Sequence, residues 1–354
     1  MTGLITILDL GCDRLAACLG SIHKKSSLSI FARESAPSRG IKDGAVIDAA
    51  MAIEEITALL SKLRRKNKRV TRGVHVTITG SGLSSQVSRS VIPLARIPRE
   101  ISKKDIKKCI NIASLVRLPP DRAIVQKIVK GYSVDSGALN IVNPLGLYGI
   151  KLESEMLLLT ASLSHVDTIS KVIDHSGFFL EKFHLASLAK SYSLLDERDK
   201  DAGAILLDVG TGISEAAVYK NKSFLQLETI KKGTGFFINS DTTLNKEKLG
   251  TLLSELFKGL DLKEKKDVAS LVITGKGALL DGMIEEAERV TKIPARLGAI
   301  KRAPVQLNSE DSIVHAATIG LLYRIAEEYR FFDMTKNPIQ KTLHKLIDIY
   351  ESYF

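Results

Sequence analysis

The sequence is poor in the residues from which metal, redox and triad sites are built. Its three cysteines, Cys12, Cys18 and Cys109, stand in neither CxxC nor ligand spacing. An odd, scattered set of this kind speaks against a disulfide or zinc framework and fits a reducing compartment. The seven histidines are dispersed, and neither HExxH nor GxSxG nor a Walker A loop occurs. Metal hydrolases, nucleophile-elbow hydrolases and P-loop NTPases are thereby set aside. No apolar run reaches the roughly 20 residues of a bilayer-spanning helix. The first 20 residues are apolar but broken by Asp9, Asp13 and Arg14, without a basic stretch ahead of them. That is not the pattern of a secretory signal. Low-complexity segments are lacking as well.

What is present describes a folded chain with more than one core. Of the 354 residues, 44% are hydrophobic and 26% charged, the balance of a globular protein. Lys and Arg number 51 against 40 Asp and Glu, a net charge of +11, which suits anionic partners: phosphates, acidic lipid or nucleic acid. The longest basic run, Lys62–Arg72, reads first as a solvated helix end and second as a contact with acidic lipid. No aromatic residue interleaves it for base stacking, so nucleic acid is not an expected partner.

Strand-like runs alternate with helical patterns, which predicts an α/β architecture. Leu4–Leu10 reads as a buried strand ending in a glycine turn, with Leu15–Leu19 returning as a hairpin and Leu28–Arg33 following. Val46–Leu63 has helical spacing; Val74–Thr79 and Gln86–Leu94 read as strands, and Lys103–Ala113 as a helix closed by Pro119-Pro120. The opening then recurs: Gly203–Val209 is a strand, Gly210–Gly212 a turn, Ala216–Tyr219 a returning strand. This self-similarity predicts a duplicated domain. The expected division is a first lobe of residues 1–73 and 161–202 with a helix at 311–332, an inserted subdomain at 74–160, and a second lobe at 203–310. In residues 333–354 a short linker leads to Ile339, Leu343, Leu346, Ile347, Tyr350 and Phe354, which share one face of a helix.

Three glycine turns, each closing an apolar strand, are the chemically informative features: Gly11, Gly210-Thr211-Gly212 and Gly275-Lys276-Gly277. Without a Cβ the backbone can approach a phosphate or ribose, and successive N–H groups can point at an anion. Asp9 and Asp208, at the first two strand ends, could hold Mg²⁺ through water. Any one of these is equally a tight turn; the ordered set of three in a duplicated α/β chain is what points to a nucleotide.

In that arrangement the chain resembles the actin-like ATPases and, within them, the FtsA family of bacterial cell division. The first phosphate loop is similar to Asp9-Leu-Gly-Cys-Asp-Arg14, the second to Asp208-Val-Gly-Thr-Gly-Ile-Ser-Glu215, and the adenosine loop to Thr274-Gly-Lys-Gly-Ala-Leu-Leu-Asp-Gly282. The narrower resemblance rests on Ser38-Arg-Gly-Ile-Lys-Asp-Gly44, Asn143-Pro-Leu-Gly-Leu-Tyr-Gly149 and Leu188-Ala-Lys-Ser-Tyr192, on the place of the insertion and on the terminal amphipathic helix. It implies a duplicated, ribonuclease-H-like two-lobed fold with an α+β insertion in the first lobe. ATP and Mg²⁺ would lie between the lobes, with Asp9 and Asp208 near the metal. Gly11, Cys12, Asp13, Arg14, Gly210, Thr211, Gly212 and Ser214 would lie near phosphates, and Gly235, Glu255, Lys258, Gly275, Lys276 and Gly277 near the nucleoside.

The resemblance further implies a peripheral protein on the cytoplasmic face of the membrane. Its terminal helix would meet anionic lipid, its copies would polymerise head to tail, and it would gather other division proteins. Departures from the family pattern predict weak binding and slow or absent hydrolysis: Cys12 stands for a threonine, Asp13 adds negative charge, and Thr211 and Lys276 replace glycines. The second lobe is shortened near 259–270, where the family docks the tubulin-like FtsZ, so the resemblance assigns no residues to that partner. The alternatives are a pilus-assembly-type actin-like protein, a sugar kinase or exopolyphosphatase, and a scaffold without nucleotide.

Overall fold

The computed structural model describes residues 3–22, 28–80, 82–139, 141–260, 268–300 and 307–333. Its framework follows from strands whose residues are apolar on both faces. In β1 (Gly3–Leu10) Leu8 and Leu10 enter one core while Ile5 and Ile7 enter another, so the strand must be covered on both sides. It pairs antiparallel with β2 (Arg14–Ile22), which pairs with β3 (Leu28–Pro37). A short ribbon of β4 (Ile41–Lys42) and β5 (Ala45–Val46) leads into α1 (Ala49–Lys66). This helix begins later than its apolar spacing suggested because Val46 is spent in β5 and Asp48 caps the first turn, accepting from the Met51 amide. Its buried stripe, Ala52, Ile56, Leu59, Leu60 and Leu63, covers one face of the sheet. β6 (Gly73–Ile78) then joins β1 in parallel. Residues 74–78, grouped with the insertion on sequence, are thus part of the first sheet: their apolar side chains complete its core.

The insertion follows. β7 (Leu83–Pro93), β9 (Arg122–Val134) and β11 (Lys151–Ser162) form an antiparallel sheet in the order β7-β11-β9, and β8 (Arg99–Glu100) pairs with β10 (Tyr148–Gly149). α2 (Lys103–Ala113), opened by a Ser102/Asp105 capping box, packs on this sheet through Ile106 and Cys109. The chain returns through α3 (Leu163–His175) to β12 (Phe179–Leu185), which lies parallel to β6, and continues into α4 (Ala186–Leu194) and α5 (Glu197–Ala202).

The second lobe repeats the first. β13 (Ala204–Val209), β14 (Ser214–Lys220) and β15 (Ser223–Ile230) are antiparallel; α6 (Thr234–Phe237) and α7 (Lys246–Lys258) follow; β16 (Ser270–Thr274) and, after α8 (Met283–Thr291), β17 (Ala295–Leu297) run parallel to β13. The sheet orders are β12-β6-β1-β2-β3 and β17-β16-β13-β14-β15, the same path taken twice. Where the first copy carries the insertion, the second has only a 3-10 turn, Lys276–Leu279, before α8.

α9 (Ser309–Asp333) packs with α4 between the two sheets. Ile319, Leu321 and Leu322 are buried, and Leu321 and Leu322 pack against Ile5 and Ile7 of β1. Ala316 packs with Leu206 of β13. Gly320 is required at that crossing, since a Cβ there would fall on the Ala189 carbonyl oxygen. No described helix is long and apolar enough to cross a membrane. Ile339, Leu343, Leu346, Ile347, Tyr350 and Phe354 lie outside the described residues.

Candidate functional site

β1 and β13 end at one cleft, and each carries its aspartate at the penultimate position. Asp9 stands opposite Ala16 on β2 and Thr77 on β6; Asp208 stands opposite Glu215 on β14 and Thr274 on β16. The duplication thus brings the two carboxylates face to face. The cleft holds about 350 Å³. From the first loop it is lined by Asp9, Gly11, Cys12, Asp13 and Arg14, from the second by Asp208, Gly210 and Thr211, from the third by Gly275, Lys276 and Leu279, and from α9 by Ile313 and Val314.

The third turn is bound to the second strand end through its glycines. Gly275 has φ of +82°, and a Cβ there would stand 2.5 Å from Asp208 Oδ1; one at Gly277 would meet Val209 Cγ1. Gly277 therefore packs the turn onto β13 rather than facing the cleft. Gly235 donates its amide to the Thr211 carbonyl at 3.2 Å and Ser214 donates to the Lys232 carbonyl at 2.7 Å, so both shape the second loop from behind. Gly212 lies against Asp43. The Thr211 hydroxyl, which replaces a bare glycine, is buried without a hydrogen-bond partner. It is a donor held at the cleft wall.

Glu255 and Lys258 share one face of α7, as their spacing predicts, but not this cleft. Burial of Leu249, Leu252, Leu253 and Leu256 fixes the roll of the helix. The pair then lines a separate concavity with Lys246 and Arg289, and Glu255 is ion-paired with Lys232.

Two of the substituted loop residues meet across the lobes. Lys276 Nζ lies 3.1 Å from Asp13 Oδ1, and Arg14 lies 2.9 Å from Glu310 on α9. The charge that Asp13 adds is therefore balanced by Lys276 rather than by Arg14. Cys12 accepts from the Gly44 amide at 3.2 Å, and burial pushes its thiol above the usual range, so it is kept as the unreactive thiol.

The floor of the cleft holds two residues that stand in the quoted motifs but were given no role on sequence, Lys190 and Glu215. Lys190 rises from α4 and donates to Asp208 Oδ2. Glu215 is buried, accepts from Ser187, and takes the Gly80 amide at 3.3 Å. Asp9 accepts from Thr77. Burial disfavours the Lys190 ammonium, but Asp208 and Asp9 outweigh it and hold its pKa above the lysine range. Burial raises the carboxyls of Asp9 and Glu215. A signal for Lys190 existed: α4 is otherwise small, apolar or buried, and a lysine in such a helix needs an anionic partner.

These residues do not fit a Mg²⁺ held by Asp9 and Asp208. Asp208 is already paired, and a dication on that carboxylate would face the ammonium, a repulsion of about 4 kcal/mol per unit-charge pair at 4 Å in an effective dielectric of 20.

Comparison with known proteins agrees with this architecture. The SHS2 domain inserted in FtsA matches residues 80–160, the segment of β7, α2, β9 and β11. The chain is 24% identical to the cell division protein FtsA of Neisseria meningitidis over 352 residues, covering 83% of each. It is 25% identical to FtsA of Borreliella burgdorferi over 390, covering 94% of this chain and 93% of that one. Among solved structures, a PilM-PilN type IV pilus biogenesis complex superposes with a TM-score of 0.66 at 15% identity, over 90% of this chain and 98% of that one. The ethanolamine utilization protein EutJ from Carboxydothermus hydrogenoformans gives 0.51 at 12%, over 91% and 89%. At such identities the structures speak for the fold alone. The chain thus carries the SHS2 domain found inserted in FtsA, is similar to FtsA proteins along most of its length, and shares its fold with the solved structures above.

Proposed function

We propose that this chain is a nucleotide-binding scaffold of cell division, working on the cytoplasmic face of the membrane. The observation that carries the reading is convergence: both strand-end aspartates, both glycine turns that follow them and the third turn after β16 line one cleft between pseudo-equivalent lobes. Gly11, Gly210 and Thr211 bring the backbone of both loops to the cleft, where the phosphates would lie. Leu279, which is 45% exposed, and Ile313 offer an apolar wall to a base. ATP would act there as a conformational ligand that favours an assembly-competent state. Hydrolysis would be slow or absent.

In this reading copies of the chain associate head to tail, the insertion takes part in that contact, and other division proteins are recruited to the polymer. The segment 339–354 anchors it to anionic lipid, each copy weakly and the polymer firmly through avidity. FtsZ has no assigned docking residues, because the lobe is short where the family binds it.

Calorimetric titration of the full chain with ATP tests the nucleotide. Saturable, micromolar binding is expected. Leu279→Trp, which fills the cleft from an exposed position, should weaken it about tenfold, or 1.4 kcal/mol. No heat at millimolar ATP would overturn the reading.

A further inference from the structure

We infer that Lys190 is the resident cation of this cleft, standing where an actin-like site would place its divalent metal, so that the chain takes the phosphates of a nucleotide without a metal ion. The inference rests on the nucleotide reading for the identity of the anion, but its claim about the metal stands on the protein alone.

Three features carry it. The first is position: Lys190 lines the cleft with Asp9, Asp208 and Glu215 and is hydrogen-bonded to Asp208, the carboxylate at the end of β13. The second is fixation. The Lys190 and Asp208 side chains are only 13% and 11% exposed, and the close approach of Gly320 of α9 to Ala189 sets where α4 places the base of the lysine, so the ammonium is held beside the carboxylate. The third is occupancy of the ligands. Asp208 accepts from Lys190, Asp9 from Thr77, and Glu215 from Ser187 and the Gly80 amide. Both oxygens of Glu215 are taken, and a dication would be left Asp208 Oδ1 and Asp9 Oδ2, beside an ammonium that both carboxylates already attract. A lysine carries three donors and no acceptor, so Lys190 has donors beyond the one given to Asp208 to turn toward an anionic oxygen, as phosphate-binding lysines do.

The test uses the full chain after treatment with chelator, in two arms. In the first, Mn²⁺ is titrated without nucleotide and the free ion is followed by electron paramagnetic resonance. The native chain should show no site in the micromolar range, and Lys190→Met, which keeps length and removes charge, should gain one. In the second, ATP binding is measured by calorimetry in EDTA and in Mg²⁺. The native chain and Lys190→Arg should bind within about threefold under both conditions, whereas Lys190→Met should weaken at least tenfold in EDTA and recover with Mg²⁺. Should Lys190→Met fail to fold, the native chain and Lys190→Arg still decide. A micromolar Mn²⁺ site in the native chain, or a tenfold loss of its ATP affinity on chelation, overturns the inference and leaves the nucleotide reading standing. Absence of ATP binding under both conditions removes the nucleotide reading, and the Mn²⁺ arm then judges the metal claim by itself.

Discussion

Lys276 of the second lobe reaches Asp13 of the first, Nζ to Oδ1 at 3.1 Å and Oδ2 at 3.2 Å, and so bridges the cleft. The two side chains are 54% and 43% exposed, so the pair is worth at most about 1 kcal/mol. Its effect should be on opening rather than on folding. In Lys276→Ala the melting temperature should move by less than about 2 °C, while a fluorescent ATP analogue dissociates roughly two- to fivefold faster in stopped flow. Native dissociation should also quicken with added salt, since an exposed pair is screened. An unchanged off-rate would mean that the bridge does not hold the lobes.

Gly320 sets the distance between α9 and α4. Replacing glycine by alanine inside a helix ordinarily stabilises it, by about 1 kcal/mol. Here the added methyl falls on the Ala189 carbonyl oxygen, backbone that cannot step aside. Gly320→Ala should therefore destabilise, by about 1–3 kcal/mol as other overpacked cores do. The sign of the change in thermal unfolding separates the two effects. A rise in melting temperature would show that the crossing has slack.

Glu34 explains part of the basic run. Its carboxylate, with a side chain only 4% exposed, is held by Lys62 at 2.9 Å and by Lys66, while Arg69 stacks on Phe31 and Arg64 on Phe178. Four of the run's cations are thus engaged within the first lobe. Because both lysines are more than half exposed, removing them together should cost an intermediate sum, about 1–2 kcal/mol. Urea unfolding of Lys62→Ala/Lys66→Ala measures it, and Glu34→Gln in the same background should return part of the loss by removing the stranded charge.

What the sequence made legible was local. Asp9 and Asp208 could be found because each sits between an apolar strand and a glycine turn, and the duplication could be found because both hairpins repeat that string. Lys190 could not be assigned, since its partners arrive from β1 and β13 and only the topology brings them to α4. Glu255 and Lys258 show the converse: their i, i+3 spacing places them on one face, as read, but the leucines of α7 decide where that face points. Thr211 and Lys276 were legible as departures from bare turns. That one becomes an unpartnered donor and the other half of a bridge between lobes is decided by distant contacts.

Two buried histidines tie stability to pH. Burial, with Arg324, His75 and Lys182 around it, pushes His184 down to about 2, and burial with Arg33 and Arg14 nearby pushes His315 to about 4 against the opposing Asp311 and Glu34. In the unfolded chain both titrate near 6.5. Below that value the unfolded state binds protons that the folded state refuses, so stability is full above about pH 7 and falls as pH drops toward the folded values. Each group should cost about 1.4 kcal/mol on going from pH 7.5 to 5.5. Asp9 and Glu215 act with the opposite sign, because burial raises them and the folded state then holds the extra proton. The raw slope mixes both, and the comparison between proteins isolates one. In urea unfolding at the two pH values, His184→Gln should lose about 1.4 kcal/mol less than the native chain across the interval. Equal losses in the two proteins would mean that His184 takes up its proton in the folded state.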